Sequence, residues 1–383
     1  MDERLRFVGE CMRGERSMSA LCREFGISRK TGYRLLHRYR LEGLLGLFDR
    51  SRAPHCHPHA VSDDIVEAIL VLRERYPRWG PRKLRAWLDR NRPRTSWPSA
   101  STIGRILLSH GKTAGRGRRR RTPPYSQPFR TCLEPNAVWC ADFKGWFRTG
   151  DGARCQPLTV SDAHSRFLLI CRALPTTTQG SVRPVMEAAF REYGLPWAIR
   201  TDNGAPFAST ALGGLSRLAV WWIKLGIMPE RIDPGCPQQN GRHERLHRTL
   251  KEDSASPPRA SLSQQQLSFD RFCQEYNYDR PHEALANYTP AEVYRSSTRP
   301  YPSRIPEIVY PDHMSIRIVR PSGQIHWQGQ EFYVSETLIG EPVAFEPIDD
   351  RCYQLYYGPV KIARYDNASK KIIKPKPTKR KPR

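Results

Sequence analysis

The chain has 383 residues, a formal net charge of +25 and a pI near 10.0. This length predicts several domains, and the charge favours a polyanion such as nucleic acid as partner. Ten cysteines without a CxxC pair, a charged start and the lack of an apolar run of about 20 residues argue against a secreted or membrane protein, so we expect a cytoplasmic location.

The positive charge is concentrated at the two ends of the sequence. Residues 1–125 contain 28 Lys or Arg against 12 Asp or Glu, and residues 370–383 contain 8 basic residues and no acidic one. Residues 126–369 are nearly neutral, with 27 basic and 26 acidic residues. We therefore expect the flanks to bind the polyanion and the middle to have another task.

A helix-turn-helix pattern lies within the first predicted domain, residues 1–55. Apolar residues recur at helical spacing on both sides of Gly26, which permits a tight turn, and Ser28 is suited to cap the second helix. A basic helical hairpin that packs on another domain is the alternative, but the charge favours DNA. The residues of this second helix predicted to contact DNA are Arg29, Lys30, Arg34 and Arg38.

Three short helical patterns follow in residues 60–112 and predict a second helix-turn-helix or winged-helix-like domain. Ser62 and Ser99 each precede a helical repeat, and Pro81 fits the first turn of a helix. Arg82 and Lys83 are predicted to face phosphate, although a solvated basic helix face explains them almost as well.

Residues 113–130 are rich in Gly, Arg and Pro, a composition that cannot form a hydrophobic core. They are therefore predicted to be a basic linker. It is expected to touch phosphate without reading bases. The arginines concerned are Arg118, Arg119, Arg120 and Arg121.

Residues 131–298 change from strand-like periodicity to alternating helices and strands, which predicts an α/β core with a mixed sheet and helices on both faces. Short strands with turn signals in residues 308–368 predict a small β-barrel. The Lys- and Pro-rich residues 369–383 are predicted to be a disordered tail.

Three acidic residues stand at the ends of predicted core elements: Asp142 in WCADFKGWF, Asp202 in RTDNG and Glu244 in NGRHERLHRTLKED. Their separations of 59 and 41 residues require each to arrive from its own strand or helix. Two divalent cations roughly 3.5–4 Å apart need carboxylates that converge in this way. Singly, Asp202 fits an ordinary turn acid, and Glu244 with Arg248 and Lys251 fits surface ion pairing.

Taken together, these motifs resemble those of bacterial insertion-sequence transposases, whose core is similar to that of retroviral integrases. The resemblance covers nearly the whole chain, with N-terminal helix-turn-helix units, the core and a C-terminal β module. Its most specific strings are VWCADFKGWF, TDNGAPFAS, PGCPQQNGRHERLHRTLK and EYNYDRPHEALANYTPAEVY.

The resemblance implies a ribonuclease H-like fold in which Asp142, Asp202 and Glu244 are catalytic and hold two Mg²⁺ or Mn²⁺ ions. It also implies contact of Arg248 and Lys251 with the transposon-end strand. The expected activity is phosphodiester hydrolysis and strand transfer on double-stranded DNA, with inverted-repeat ends and target DNA as substrates. A homo-oligomer acting at the bacterial nucleoid is implied.

One departure from the family pattern is an interval between Asp202 and Glu244 that is longer than in many relatives; the ALGGLSRLAVWWIKLG segment accounts for it. Glu252 and Asp162 are rival acids, but Glu252 lacks the PQQNGRHE context and the family gives Asp162 no metal. Arg280 and His282 belong to a family signature for which a structural role and DNA contact both stay open.

Other classes of site and function fit the sequence less well. The HCHPH cluster at residues 55–59 lacks the spacing of an integrase zinc module, and Pro58 interrupts it. No recombinase-like Ser, Tyr or Cys setting predicts a covalent protein–DNA intermediate. A domesticated DNA-binding regulator would be expected to lose a carboxylate, and a ribonuclease H-like nuclease would not need two helix-turn-helix units.

Overall fold

The structure, a computed structural model, describes residues 2–50, 61–113, 132–209, 211–232, 241–349 and 351–373. Most of the predicted linker with its four arginines, the HCHPH cluster and most of the basic tail lie outside these residues. The chain divides into two units, residues 1–63 and 64–383.

The described residues of the first unit form three α-helices, α1 (Asp2–Arg13), α2 (Met18–Glu24) and α3 (Arg29–Glu42), and a 3-10 helix at Gly43–Leu47. Ser17 and Ser28 cap α2 and α3 by accepting hydrogen bonds from backbone N–H groups, and Gly26 between them has a φ of 61°. This confirms the predicted helix-turn-helix. The preceding α1 was not predicted, although Leu5, Val8 and Met12 recur in it at helical spacing, and it buries Phe7 and Val8.

Gly32 allows α3 to lie close against the other two helices of this unit. A Cβ at this position would come within 2.6 Å of the Cys22 sulfur and 2.9 Å of a Phe7 ring carbon. Both neighbours are buried in the small core around Leu21, Leu36 and Leu47. The unit therefore depends on a glycine at the helix contact.

The second unit begins with the helices α4 (Asp63–Arg75), α5 (Pro81–Asn91) and α6 (Ala100–Ser109). Pro81 opens α5 and Ser99 caps α6, as predicted. The helices enclose a core that includes Ile69, Trp79 and Leu84. These helices are called the second helical unit below, and residues 61–113 contain no strand.

A mixed sheet forms the centre of the second unit. Its strand order is β4-β3-β1-β5-β6, and β2 pairs with the beginning of β3. Strands β1, β5 and β6 are parallel, whereas β3 runs antiparallel to β1 and β4. The strands are β1 (Val138–Phe143), β2 (Phe147–Arg148), β3 (Arg154–Asp162), β4 (Leu168–Leu174), β5 (Ala198–Thr201) and β6 (Met228–Arg231).

Helices cover both faces of this sheet, as predicted from the alternating pattern. One face packs Trp139 against Phe190 and Trp222 of α7 and α8; the other packs Leu168 against Leu250 and Phe269 of α9 and α10. Helices α9 and α10 each continue into a π-helical turn, at residues 251–255 and 275–279. The helices are α7 (Gln179–Tyr193), α8 (Arg217–Lys224), α9 (Gly241–Leu250), α10 (Leu262–Gln274) and α11 (Pro290–Val293).

The C-terminal residues form a small β module that packs on α8 through Val220 and Ile223. A five-stranded antiparallel sheet has the order β13-β12-β11-β10-β7, and β8 and β9 form a separate hairpin. Among the described residues no pairing joins β13 to β7, so the pairing shows two small sheets where a barrel was expected. The strands are β7 (Ser315–Ile318), β8 (Gln324–Trp327), β9 (Gln330–Tyr333), β10 (Pro342–Pro347), β11 (Cys352–Tyr357), β12 (Val360–Asp366) and β13 (Lys371–Ile373).

Across the described residues, no helix is both long enough and apolar enough to cross a membrane.

Replacing Gly32 with Ala is expected to destabilise the helix-turn-helix by about 1–3 kcal/mol, because the added methyl group overpacks a tight contact. Gly9→Ala in α1 is the matched control, since a Cβ there meets nothing within 4 Å, and it should stabilise by about 0.5–1 kcal/mol. Hydrogen exchange of the α1–α3 amides in the full chain measures both effects. Equal protection in the two variants would contradict the close contact at Gly32.

Candidate functional site

Asp142 and Asp202 lie beside each other on neighbouring parallel strands. Val138 pairs with Ala198 and Cys140 with Arg200, so the same register places Asp142 opposite Asp202, one residue beyond the end of β5. Adjacent strands are about 4.8 Å apart, and side chains two residues apart along a strand point to the same face. The two predicted acids therefore share one edge and one face of the sheet.

The turn after β5 holds the Asp202 carboxylate close to its own backbone. The Gly204 N–H donates to Asp202 Oδ1 at 3.1 Å. A Cβ on residue 204 would lie 3.0 Å from Asp202 Oδ2. Glycine at this position thus leaves room for the carboxylate where the strand ends.

Thr159 extends the row of the two aspartates to a third strand. It pairs with Asp142 across the β1–β3 ladder, and its hydroxyl lies 3.2 Å from the Asp142 carbonyl oxygen. The same hydroxyl oxygen lies 2.8 Å from Nε2 of His243 and 2.8 Å from Nε2 of His247, both on α9. Thr159 therefore attaches α9 to the strand next to Asp142.

The two histidines are neutral at pH 7. Burial lowers the pKa of His243 to about 4. For His247, burial has the largest effect, and the nearby His243 and Lys144 add to it; together they lower its pKa to about 3. A hydroxyl has only one hydrogen to donate, so at least one imidazole must donate its Nε2–H to Thr159. The attachment is therefore a set of uncharged, buried hydrogen bonds.

Glu244 follows His243 directly and lies one helical turn before His247. His247 Nδ1 is 4.0 Å from Asp142 Oδ2, and the Glu244 side chain is exposed. Within the part of the chain that the structure describes, no three His, Cys, Asp or Glu side chains converge as a metal site. The structure thus aligns Asp142 with Asp202 and attaches the helix of Glu244 beside Asp142.

An open cleft of about 610 Å³ borders Glu244 and is lined mainly by charged side chains. Predicted DNA contacts Arg248 and Lys251 line it, which places them on the same side of α9 as Glu244. Its lining residues are Arg78, Lys144, Glu244, His247, Arg248, Lys251, Glu252 and Ser256.

The other predicted DNA contacts have different surroundings. On α3, the residues Arg29, Lys30 and Arg34 are exposed, whereas Arg38 donates to the Phe48 carbonyl and is half-buried. Arg82 is largely exposed, with its guanidinium 3.8 Å from Glu283.

Lys83 is half-buried between the second helical unit and the core. Burial is the main cause that lowers the pKa of Lys83 to about 8, and the nearby Arg280 lowers it further. The carboxylates of Glu283 and Asp253 raise it in part. Lys83 therefore lies among side chains of the core, including Arg280 and Glu283. Its contact with DNA phosphate stays a prediction.

The rival acid Asp162 has a clear structural role. It is 1% exposed, and its carboxylate accepts hydrogen bonds from the N–H groups of Asn136 and Ser165 and from the Ser165 hydroxyl. These bonds tie the end of β3 to the loop before β1. The rival Glu252 lines the cleft but lies beyond the end of α9.

Five residues at this site were not predicted from the sequence: Thr159, His243, His247, Lys144 and Arg78. The two histidines carried a readable signal, because they are four residues apart on a helix and so share one face. Arg78 comes from the second helical unit, and only the tertiary structure brings it to the cleft.

The strand order, in which β1, β5 and β6 are parallel and β3 is antiparallel to its neighbours, with helices on both faces, is that of a ribonuclease H-like core of the integrase type. Family models agree along most of the chain. They match a helix-turn-helix domain at residues 3–55 and a homeodomain-like domain at 31–107. An integrase core domain matches at 133–237 and at 225–290, and the C-terminal domain of IS481 family transposases at 314–373.

Along most of its length the chain thus matches the domains found in insertion-sequence transposases: helix-turn-helix domains, an integrase core and an IS481-type C-terminal domain. It is 27% identical over 253 residues to the insertion element IS407 uncharacterized 31.7 kDa protein of Burkholderia multivorans. This alignment covers 64% of this chain and 87% of that protein. It is also 27% identical to the insertion element IS476 uncharacterized 39.2 kDa protein of Xanthomonas euvesicatoria, over 66% of this chain and 70% of that protein.

Solved structures similar to the chain include two viral integrases. The HTLV-2 integrase catalytic core domain in complex with magnesium matches with 16% identity and a TM-score of 0.34, over 43% of this chain and 99% of that chain. A chain of the simian T-cell lymphotropic virus intasome in complex with PP2A regulatory subunit B56 gamma matches with 16% identity and a TM-score of 0.38, over 69% and 90%.

Thr159→Val is expected to lower the free energy of unfolding by about 1–3 kcal/mol, because it leaves buried imidazole nitrogens without their hydroxyl partner. Thr249→Val is the matched control on the same helix, since its hydroxyl donates to the Arg245 carbonyl of its own helix and should cost less. Urea unfolding of the full chain measures both. A Thr159→Val variant as stable as the control would show that Thr159 does not anchor α9.

Proposed function

We propose that this protein is a DNA transposase that cuts at the ends of its element and joins them to target DNA. Asp142, Asp202 and Glu244 are the proposed catalytic residues. The observation that carries the proposal is the alignment of Asp142 and Asp202 on neighbouring parallel strands, together with the contact of Asp142 with the helix that bears Glu244.

The chemistry consists of two in-line displacements at phosphorus. In the first, a water oxygen attacks the phosphorus at the element's end, the bond to the 3′-oxygen breaks, and that oxygen leaves as a 3′-hydroxyl. In the second, this hydroxyl attacks a phosphorus of the target strand and displaces the target's own 3′-oxygen. Both steps need a base for the nucleophile and stabilisation of a leaving oxygen.

The proposed donors suit hard divalent cations. Carboxylate oxygens are what Mg²⁺ or Mn²⁺ prefers, and Asp142 and Asp202 would hold ions between them, with Glu244 as a third ligand from α9. When bound, two such ions lower the pKa of the attacking oxygen and stabilise the leaving one. The protein's own share is to fix the spacing of the aspartates through strand pairing.

The basic side chains around the cleft would position the DNA. Lys144, Arg248 and Lys251 lie beside Glu244 and can neutralise phosphates next to the reacting one. On α3, the exposed Arg29, Lys30 and Arg34 would bind the inverted repeat, with the helix in the major groove. Because two element ends must be joined to one target, a homo-oligomer is part of the proposal.

Asp142→Asn, Asp202→Asn and Glu244→Gln are each expected to lower strand transfer by about a thousand-fold or more, since each removes a charged metal ligand. The assay uses duplexes that carry the inverted repeat of the element, with Mg²⁺ and the full chain. Glu252→Gln is the matched control in the same cleft and should stay within about ten-fold of the parent chain.

A parent chain that neither cuts nor joins such duplexes would contradict the proposed function. An active Asp202→Asn variant, or a Glu252→Gln variant as impaired as Glu244→Gln, would contradict the assignment of the acids.

A further inference from the structure

We infer that Arg78 is a DNA-binding residue of the catalytic cleft, presented there by docking of the second helical unit on the segment that contains Arg280 and His282. This inference rests on the proposed function, since it assigns a further contact for the same DNA. It gives the signature YNYDRPHEAL a role as a docking site.

Direct contacts join the second helical unit to the residues that follow α10. The Tyr76 hydroxyl donates to Asp279 Oδ2 at 3.0 Å. Arg90 donates to the Asn287 carbonyl at 2.8 Å and lies 3.2 Å from a carboxylate oxygen of Glu292. These bonds come from the loop after α4 and from α5, so they fix the unit's orientation as well as its position.

Asp253 joins the docking segment to the cleft. Its Oδ2 lies 3.2 Å from Nη1 of Arg280, and its Oδ1 lies 3.3 Å from Nη1 of Arg78. Arg280 and Asp253 are mostly buried, with 13% and 19% of their side chains exposed, whereas 46% of the Arg78 side chain is exposed. One carboxylate thus holds a buried arginine of the core and an exposed arginine of the helical unit.

His282 is largely buried in the same segment and packs against Tyr276. Its ring packs edge-on against Tyr276 at 4.8 Å, and burial, followed by the nearby Lys83 and Arg280, lowers its pKa to about 3. It is therefore a neutral packing residue. This placement favours a structural role of the signature over direct contact with DNA.

Arg78 has the exposure and position needed to bind phosphate. It lines the same cleft as Glu244, Lys144 and Arg248. A guanidinium group carries five N–H donors, so the carboxylate of Asp253 leaves donors that can face a phosphate oxygen. In the absence of DNA, Asp253 holds Arg78 at the rim where the backbone would pass.

The dock is tested by hydrogen exchange of the full chain without DNA. Arg90→Ala should speed amide exchange in residues 279–293 by about ten-fold or more, because it removes bonds to two parts of this segment. Arg105→Ala on α6, where Arg105 bonds to Thr102 of its own helix, is the matched control and should leave exchange unchanged. Unchanged exchange in Arg90→Ala would overturn the docking role.

The DNA contact is tested by the salt dependence of binding to a duplex that carries the element's inverted repeat. Arg78→Gln should weaken binding roughly three- to ten-fold and lower the slope of log K against log salt by about one, as expected for one lost phosphate contact. Arg78→Lys keeps the charge and should restore the slope, and Arg105→Gln should not change it.

An unchanged slope in Arg78→Gln, or an equal loss in Arg105→Gln, would overturn the assignment of Arg78. These outcomes are distinct from failure of the proposed function, in which the parent chain would bind the duplex but neither cut nor join it.

Discussion

The site depends on one row of residues across neighbouring strands. Thr159 of β3 lies opposite Asp142 of β1. The pairing of β1 with β5 places Asp202, just after β5, on the other side of Asp142. Strand pairing sets the distance between the two aspartates, and the Thr159 hydroxyl binds the helix that carries Glu244. Because the side-chain period of a strand is two, a slip of one residue in either ladder would turn Asp142 away from its partner. Backbone hydrogen bonding therefore fixes the relative positions of residues that are distant in sequence.

Electrostatics explains why the attachment of α9 is uncharged while the cleft is charged. A buried ion pair beneath the helix would carry a large desolvation cost, whereas neutral imidazoles bonded to a hydroxyl satisfy their polar atoms at little cost. Beyond the helix, Lys144, Arg248 and Lys251 meet solvent, where a concentration of positive charge costs less and can attract a phosphate backbone. Within the nearly neutral residues 126–369, three basic side chains are thus brought together at one cleft, beside Glu244 and Glu252.

Local signals in the sequence predicted much of the fold. Capping serines at 28 and 99, Pro81 at the start of a helix and the shift from strand to helix periodicity gave the helices and strands and their order. For the acids, the sequence predicted only that Asp142 and Asp202 arrive from separate elements, and the strand register in the structure places them side by side.

Features that depend on tertiary contact were not predictable in this way. The C-terminal strands share a core with side chains of α8, which is distant from them in the sequence. Arg78 is about 170 residues from the acid it accompanies in the cleft, and its ion pair with Asp253 exists only after docking. Propensity and spacing describe single elements, and such contacts arise between elements.

The central claim is that Asp142, Asp202 and Glu244 form one divalent-metal site, and metal-directed backbone cleavage tests it most directly. Fe²⁺ in place of Mg²⁺, with ascorbate and peroxide, generates radicals that cut the chain next to the bound ion. We expect cuts around residues 142, 202 and 244 that excess Mg²⁺ suppresses and that Asp202→Asn removes. Cuts confined to other parts of the chain, or cuts at these positions that persist in Asp202→Asn, would contradict the account.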